Sequence, residues 1–296
     1  TREELLKKAD QAMYVSKEGG RNRFSYFTRS MQEAAQYRMD LLNDLRGALT
    51  LDQFAVHYQP VVELQTGKVH KAEALLRWSH PVRGQVSPGE FIALAEDSGL
   101  IHDIGNWVFG RATAQAKQWR KALHPEFQVS INLSPVQIQS NAEQLDWRRH
   151  LQIAGLDGNA VVLEITEGLL LDKSPRVAAE LLAYRDAGIQ VAIDDFGTGY
   201  SAMSYLKQLD IDYLKIDRSF VRNLGLEASD HALCQAMVVM AHTLGLKVIA
   251  EGVETRQQHD LLKAMGCDYG QGFLYARALP ASEFEQWMQG GATWRG

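Results

Sequence analysis

Cysteine is nearly absent from the 296 residues. Its two instances, Cys234 and Cys267, stand 33 positions apart with no Cys-x-x-Cys pair. That excludes a disulfide framework and a thiolate metal centre, and it points to a reducing compartment. No apolar run reaches the roughly 18 residues that a membrane-spanning helix needs; the longest are short stretches such as 236–241. Gly-x-Ser-x-Gly and His-Glu-x-x-His do not occur, and the nine histidines are scattered, so neither a serine hydrolase nor a zincin is supported. A basic stripe is missing too. The formal charge is −5, and while residues 1–50 carry nine Lys or Arg against seven Asp or Glu, the rest hold 22 against 29. Such an acidic body is a poor trap for duplex nucleic acid, and it meets an anionic substrate only through a recruited cation.

With 46% hydrophobic and 23% charged residues, the chain can bury a real core, which rules out disorder of the whole. It opens on Thr1 with no signal-peptide pattern, so it is expected to be a piece of something longer. Residues 1–28 predict a helix carrying Leu5, Leu6, Ala9, Ala12, Met13 and Tyr14, broken at Gly19 and Gly20, then a short strand over 23–27. A second amphipathic helix is predicted over 30–49, with Met31, Ala35, Met39, Leu42, Leu45 and Leu49 in line. It reads as a helix packed on the following domain or as a connector between domains.

From residue 51 onward, short β-rich runs alternate with longer helical stretches, the pattern of repeated βα units. Strands are predicted at 54–59, 71–76, 129–133, 161–166, 190–196, 213–217, 247–252 and 269–273. Helices are predicted at 88–97, 107–121, 176–188, 201–209, 229–245 and 255–265. Eight strands with crossover helices in about 250 residues suit a (β/α)8 barrel. The first two strands are joined only by 60–70, which contains Thr66-Gly67-Lys68, so a hairpin is expected there. The fold class is therefore α/β: a modified (β/α)8 TIM-like barrel with one antiparallel strand, preceded by N-terminal helices.

Barrel strands are normally aliphatic, yet these carry polar residues toward the end where the chain leaves the strand: Gln59, Asn132, Glu164, Asp194, Asp195, Lys215, Glu251 and Gln271, with Glu73 in the second run. The C-terminal strand ends of a barrel converge on one face, which carries the active site. Taken singly, each residue has an ordinary use as an ion pair, a turn former, a helix cap or a snorkelling amine. Together, at one rim, their repulsion and desolvation call for a function. Glu73, Glu164, Asp194 and Asp195, with Glu251 nearby, need a compensating positive charge. Oxygen donors with an amide, and without Cys or paired His, select Mg²⁺ or Mn²⁺ over Zn²⁺, and two such ions would form the clamp used for phosphodiester hydrolysis. The segment 196–201 lacks the third Gly of a dinucleotide fingerprint, and the two Asp before it would repel a pyrophosphate, so it reads as a loop hinged on Gly197 and Gly199.

The motifs Tyr58-Gln59-Pro60, Glu73-Ala74-Leu75-Leu76-Arg77-Trp78, Asn132-Leu133-Ser134, Glu164-Ile165-Thr166-Glu167, Asp194-Asp195-Phe196-Gly197-Thr198-Gly199-Tyr200-Ser201, Leu214-Lys215-Ile216-Asp217, Glu251-Gly252-Val253-Glu254 and Gln271-Gly272-Phe273 resemble, in this order, the EAL domain family of cyclic di-GMP phosphodiesterases. The resemblance covers roughly residues 45–290. It implies a modified barrel that hydrolyses cyclic di-GMP to linear 5′-pGpG with two Mg²⁺ or Mn²⁺ ions per site. It further implies Glu73, Asn132, Glu164 and Asp194 as ligands of the first metal, and Asp194 and Asp195 as those of the second. Lys215 would hold or polarise the attacking water, and Glu251 would act as base or water-orienting carboxylate, supported by Gln271. Arg77, with Leu76 beside it and Gln59 near, would bind substrate. Glu167 and Glu254 would brace the loop after Asp195, a loop tied in the family to metal binding and dimer-linked regulation, and a homodimer is implied. One departure, Ser201-Ala202-Met203-Ser204, touches no ligand position.

The segments Ala9-Asp10-Gln11-Ala12-Met13-Tyr14, Lys17 and Gly20-Arg21-Asn22-Arg23 resemble the closing helix and strand of a GGDEF domain, whose Gly-Gly-Asp-Glu-Phe motif the chain lacks. The expected plan is a GGDEF remnant over 1–28, a linker helix over 29–49 and an EAL barrel over 50–296. The parent would carry upstream GGDEF or sensor domains and be cytoplasmic, with any membrane anchor in a region outside this sequence. No membrane contact by this stretch is expected. Two other readings stand beside the enzyme: a non-catalytic cyclic di-GMP receptor, whose members generally lack a metal ligand or the Lys or Glu at the water, and a barrel enzyme of other chemistry such as a metal-dependent lyase.

Overall fold

The computed structural model describes residues 26–139, 146–170, 174–199 and 210–290, with the single helical positions Arg2, Leu6, Ala9 and Met13. The rest of the GGDEF-like stretch and the helix expected over 201–209 lie outside the described residues. Two compact units are present, Thr1–Phe54 with Trp78–Leu100, and Ala55–Arg77 with Ile101–Gly296.

In the smaller unit, helix α1 (Arg29–Ala48) starts where the Thr28 side chain accepts from the Met31 amide, filling one of the orphan donors of a first turn. Its Leu41, Leu45 and Ala48 are buried, and it packs with α2 (Pro88–Ser98), which buries Phe91, Leu94 and Ala95. Gly99 ends α2 at φ 77, a left-handed cap. Strand β3 (Gly84–Val86) pairs antiparallel with the last residues of β2 (Val69–His80). Trp78 holds this unit's core, 5.9 Å from the Phe54 ring and 5.4 Å from Phe91. Its indole N–H donates to Gln53 Oε1 at 3.0 Å.

The larger unit is the barrel. Strand order runs β1 (Phe54–Glu63), β9 (Tyr269–Gly270), β8 (Lys247–Ala250), β7 (Tyr213–Ile216), β6 (Gln190–Phe196), β5 (Val161–Thr166), β4 (Gln128–Asn132), β2, and β1 pairs with β2 to close the ring. From β2 through β9 the neighbours are parallel, while β1 runs antiparallel to β9. The β1–β2 turn is the expected hairpin, with Gly67 at φ 72 and its amide donating to the Glu63 carbonyl at 2.8 Å. Two-residue β10 (Leu279–Pro280) adds to β1; so short a run carries no readable period.

Among the described residues the unit also holds helices α3 (Ile101–Ala122), α4 (Pro135–Gln139), α5 (Trp147–Ala154), α6 (Glu167–Leu170), α7 (Pro175–Asp186), α8 (Arg218–Arg222), α9 (Ala228–Thr243), α10 (Arg256–Ala264) and α11 (Ala281–Gln289). Helix α3 begins six residues before the predicted 107 and runs through Gly105, where the Gln137 amide packs so closely that no Cβ would fit. Inside the barrel, Val61, Val162, Ala192, Tyr213 and Ile249, one each from β1, β5, β6, β7 and β8, form a buried cluster. No helix among the described residues is long and apolar enough to cross a membrane.

Outside the strands, Trp119 of α3 stacks on Phe284 of α11 at 4.6 Å, meets Tyr58 edge-on at 4.7 Å, and donates to Glu285 at 2.8 Å. Removing so large a fully buried ring leaves a cavity. Trp119→Ala is expected to cost about 3–5 kcal/mol, read as a lower urea midpoint; a midpoint within error of the parent would contradict this packing.

Candidate active site

The parallel register brings the polar strand ends to one level, with Asn132 beside Glu164 and Asp194 beside Thr166. At their centre is Lys215 of β7, whose side chain is 1% exposed. Its ammonium lies 2.5 Å from Glu164 Oε2, 2.7 Å from Glu251 Oε1, 2.9 Å from Asp194 Oδ1 and 3.7 Å from Glu73 Oε2. Amides finish the arrangement: Asn132 Nδ2 donates to Glu73 Oε1 at 2.8 Å, and Gln271 Nε2 donates to Glu73 Oε2 at 2.6 Å and to Gln59 Oε1 at 3.1 Å. Gln59 in turn donates to the Ala276 carbonyl.

Asp194 and Asp195 are adjacent in sequence, and in a regular strand they would face opposite sides. The pairing of β6 with β7 slips between Ile193 and Phe196, so that both Asp residues stand opposite Lys215 alone. This is a β-bulge, completed by Asp195 at φ 53, a left-handed conformation that Asp tolerates better than most residues. As a result, Asp194, Asp195 and Glu251 offer oxygens that all lie within 4.8 Å of one another. Strand β6 continues to Phe196, so it is the bulge that turns the pair.

The electrostatics are those of charges removed from water. Burial and the neighbouring Glu73 charge push the Glu164 carboxyl well above the ordinary range. Burial would raise Glu73 too, but Lys215 and the bonds from Gln271 and Asn132 outweigh it and hold Glu73 low. Glu251 is raised to about 7, chiefly by burial, against the pull of Lys215. Burial opposes the Lys215 charge, yet the surrounding carboxylates raise it well above a free lysine. Burial and the Asp194 charge raise Asp195.

Around this core, Glu167 Oε2 accepts from the Gly197 and Gly199 amides at 3.1 and 3.4 Å. That carboxylate ties the loop after Asp195 to α6. Glu254 is placed at the start of α10, its amide donating to Gln258 Oε1, with no side-chain bond to the 197–199 turn among the described residues. Arg77 Nη1 donates to the Leu76 carbonyl at 3.0 Å, so these two lie along β2 beyond Glu73. Tyr200 and Ser201–Ser204 are outside the described residues. Asp217 had no role from sequence, yet its charge adds to those that raise Asp195, and its carboxylate caps α8 by accepting from the Ser219 amide at 2.9 Å. Its position in the Leu214-Lys215-Ile216-Asp217 motif was the available signal.

The donor set suits a hard divalent cation. It consists of carboxylates, the Asn132 amide whose oxygen is left over, and Gln271 Oε1, which is buried without a hydrogen bond. No sulfur or imidazole stands among these groups, and oxygen-only sets favour Mg²⁺ and Mn²⁺.

Lys215 is thus the countercharge of the metal-free rim. Lys215→Met is expected to destabilise the metal-free chain by about 3–5 kcal/mol, the usual result of breaking a buried pair from one side. The loss grows with pH: carboxyls raised above their unfolded values stabilise the fold when protonated, and that contribution disappears as pH rises through the folded pKa. For Glu251 the window extends from the ordinary carboxylate range to about 7. The variant's melting temperature should therefore fall more steeply between pH 5 and 8 than the parent's, with Mg²⁺ narrowing the gap. Parallel profiles would contradict the countercharge role.

Comparison with known proteins agrees with this geometry. The family description "EAL domain" matches residues 42–278. The chain is 41% identical over 283 residues to the bifunctional diguanylate cyclase/cyclic di-GMP phosphodiesterase MucR of Pseudomonas aeruginosa, covering 96% of this chain and 41% of that protein. It is 37% identical over 286 residues to the cyclic di-GMP phosphodiesterase PdeR of Escherichia coli, covering 96% of this chain and 43% of that one. The chain thus spans about two fifths of the length of these relatives. Among solved structures, the PaMucR phosphodiesterase in complex with c-di-GMP superposes with a TM-score of 0.79 at 41% identity, over 83% of this chain and 99% of that one. The FimX EAL domain of Pseudomonas aeruginosa bound to c-di-GMP gives 0.72 at 25%, over 81% and 96%. With its motifs set around one rim of a closed barrel, the chain belongs to the EAL domain family.

Proposed function

We propose that this chain is a metal-dependent phosphodiesterase that hydrolyses one phosphodiester of cyclic di-GMP to linear 5′-pGpG. The observation that carries this reading is the rim itself: one buried ammonium among four carboxylates, beside a bulge that turns two adjacent Asp to the same side. Such a concentration of buried charge has no structural use. The likeness to a solved phosphodiesterase in complex with c-di-GMP supports the substrate.

In this reading Glu73, Asn132, Glu164 and Asp194 would hold one Mg²⁺ or Mn²⁺, and Asp194 with Asp195 would hold a second. When bound, the two cations offset charge on the phosphate oxygens and acidify the attacking water. The chain's own groups do the rest. Glu251 takes the water proton as the oxygen attacks phosphorus, and Lys215, 2.7 Å from it, orients base and water. Gln271 steadies Glu73 and Gln59 through its amide. Arg77, Leu76 and Gln59 fix the dinucleotide so that attack is in line. The bond from phosphorus to the leaving ribose oxygen breaks, and the product keeps the 5′-phosphate. Glu167 keeps the loop after Asp195 in place, with Glu254 assigned to the same task.

The parent is read as a cytoplasmic, homodimeric protein with a GGDEF domain upstream, of which residues 1–28 are the tail and 29–49 the linker. The greater length of the relatives and the two buried free cysteines support this setting.

Incubation with cyclic di-GMP and Mg²⁺ or Mn²⁺, with and without chelator, is expected to give pGpG only where metal is free. Binding without product in either metal would overturn the enzymatic reading in favour of a receptor. Glu251→Gln should lower turnover by about 10²- to 10⁴-fold without moving the unfolding midpoint downward; turnover near the parent's would remove Glu251 from the role of base.

A further inference from the structure

Among the described residues the barrel buries two lysines, and their surroundings differ. Lys215 is surrounded by carboxylates. Lys71 on β2 is 7% exposed and faces Gln128, the first residue of β4. Its ammonium donates to the Tyr213 hydroxyl at 2.7 Å and to Gln128 Oε1. It lies 4.4 Å from the Tyr213 ring centre and 5.4 Å from that of Tyr269. Among the described residues no carboxylate comes within 4.0 Å of it.

A cavity of about 330 Å³ opens at this point, lined by Lys71 and Arg120 among others. Arg120 is held rigid by the Phe127 carbonyl at 2.9 Å and Asn159 Oδ1 at 2.8 Å. Glu126 is the lining's one carboxylate. Burial and the nearby Lys247 charge lower the Lys71 ammonium to about 7, so an anion brought beside it favours its charged form, and the volume suits a small molecule. The rim of carboxylates is two strand periods away: on β6 Gln190 faces this cavity, Ala192 belongs to the apolar cluster, and Asp194 reaches the rim. The cavity and the rim thus lie at different levels of the barrel.

We propose that this cavity is a binding site for a small oxyanion, the phosphate or sulfate group of a small metabolite, held by Lys71 with Arg120 in the wall. The inference stands apart from the chemistry at the rim. Sulfate is the probe. Calorimetric titration of the metal-free chain at constant ionic strength should give one saturable site, which Lys71→Met weakens at least about tenfold while cyclic di-GMP turnover stays within about twofold. Arg120→Gln should weaken it as well, and crystals of the unaltered chain soaked in selenate should show an anomalous peak within hydrogen-bond reach of Lys71 Nζ. The selenate measurement decides the matter even where a variant folds poorly. Non-saturating heats, equal affinity in a folded Lys71→Met variant, or no selenate at Lys71 would overturn the proposal.

Discussion

The rim is organised by one electrostatic constraint: Lys215 is the positive centre around which Glu73 and Glu164 are buried and Asp194 and Glu251 are partly buried. Each acidic group taken alone would give up its charge or its burial, because desolvation exceeds what a surface pair returns. The amides of Asn132 and Gln271 contribute by filling the oxygens of Glu73 that the ammonium does not reach closely. Glu73, Asn132, Glu164, Asp194 and Lys215 stand on neighbouring strands, and Glu251 and Gln271 directly follow theirs, so the barrel fixes the rim's geometry.

The second constraint is geometric. A parallel barrel strand offers only every second side chain to its interior, yet the proposed chemistry uses Asp194 and Asp195 together. The slip in register at β6, with Asp195 in the left-handed region, reconciles the two. Local strain at such a position is tolerated when its surroundings fix it. Here the Thr198 hydroxyl donates to the Asp195 carbonyl at 2.9 Å, and Glu167 holds the following glycine amides. Loop, bulge and rim therefore form one mechanical unit.

Much of this was legible in the sequence, for identifiable reasons. Val161–Thr166 and Gln190–Phe196 read as strands to the residue because their apolar runs are bounded by turn signals, and the Gly67 hairpin announced the antiparallel strand. The polar rim was legible because Glu164 and Lys215 interrupt otherwise aliphatic runs. What could not be read was three-dimensional. No periodicity reveals a bulge, or a Gly105 that lies within a helix with Gln137 packed where a Cβ would stand. Nor does the pattern separate Lys71 from Lys215; only their surroundings do.

If the carboxylate rim is a cation site with Lys215 as its built-in positive charge, crystals grown with Mn²⁺ will show it by anomalous scattering. Two manganese peaks are expected, both near Asp194, one toward Glu73 and Glu164 and the other at Asp195. Manganese absent from the rim at saturating concentration, or bound only elsewhere on the molecule, would contradict it.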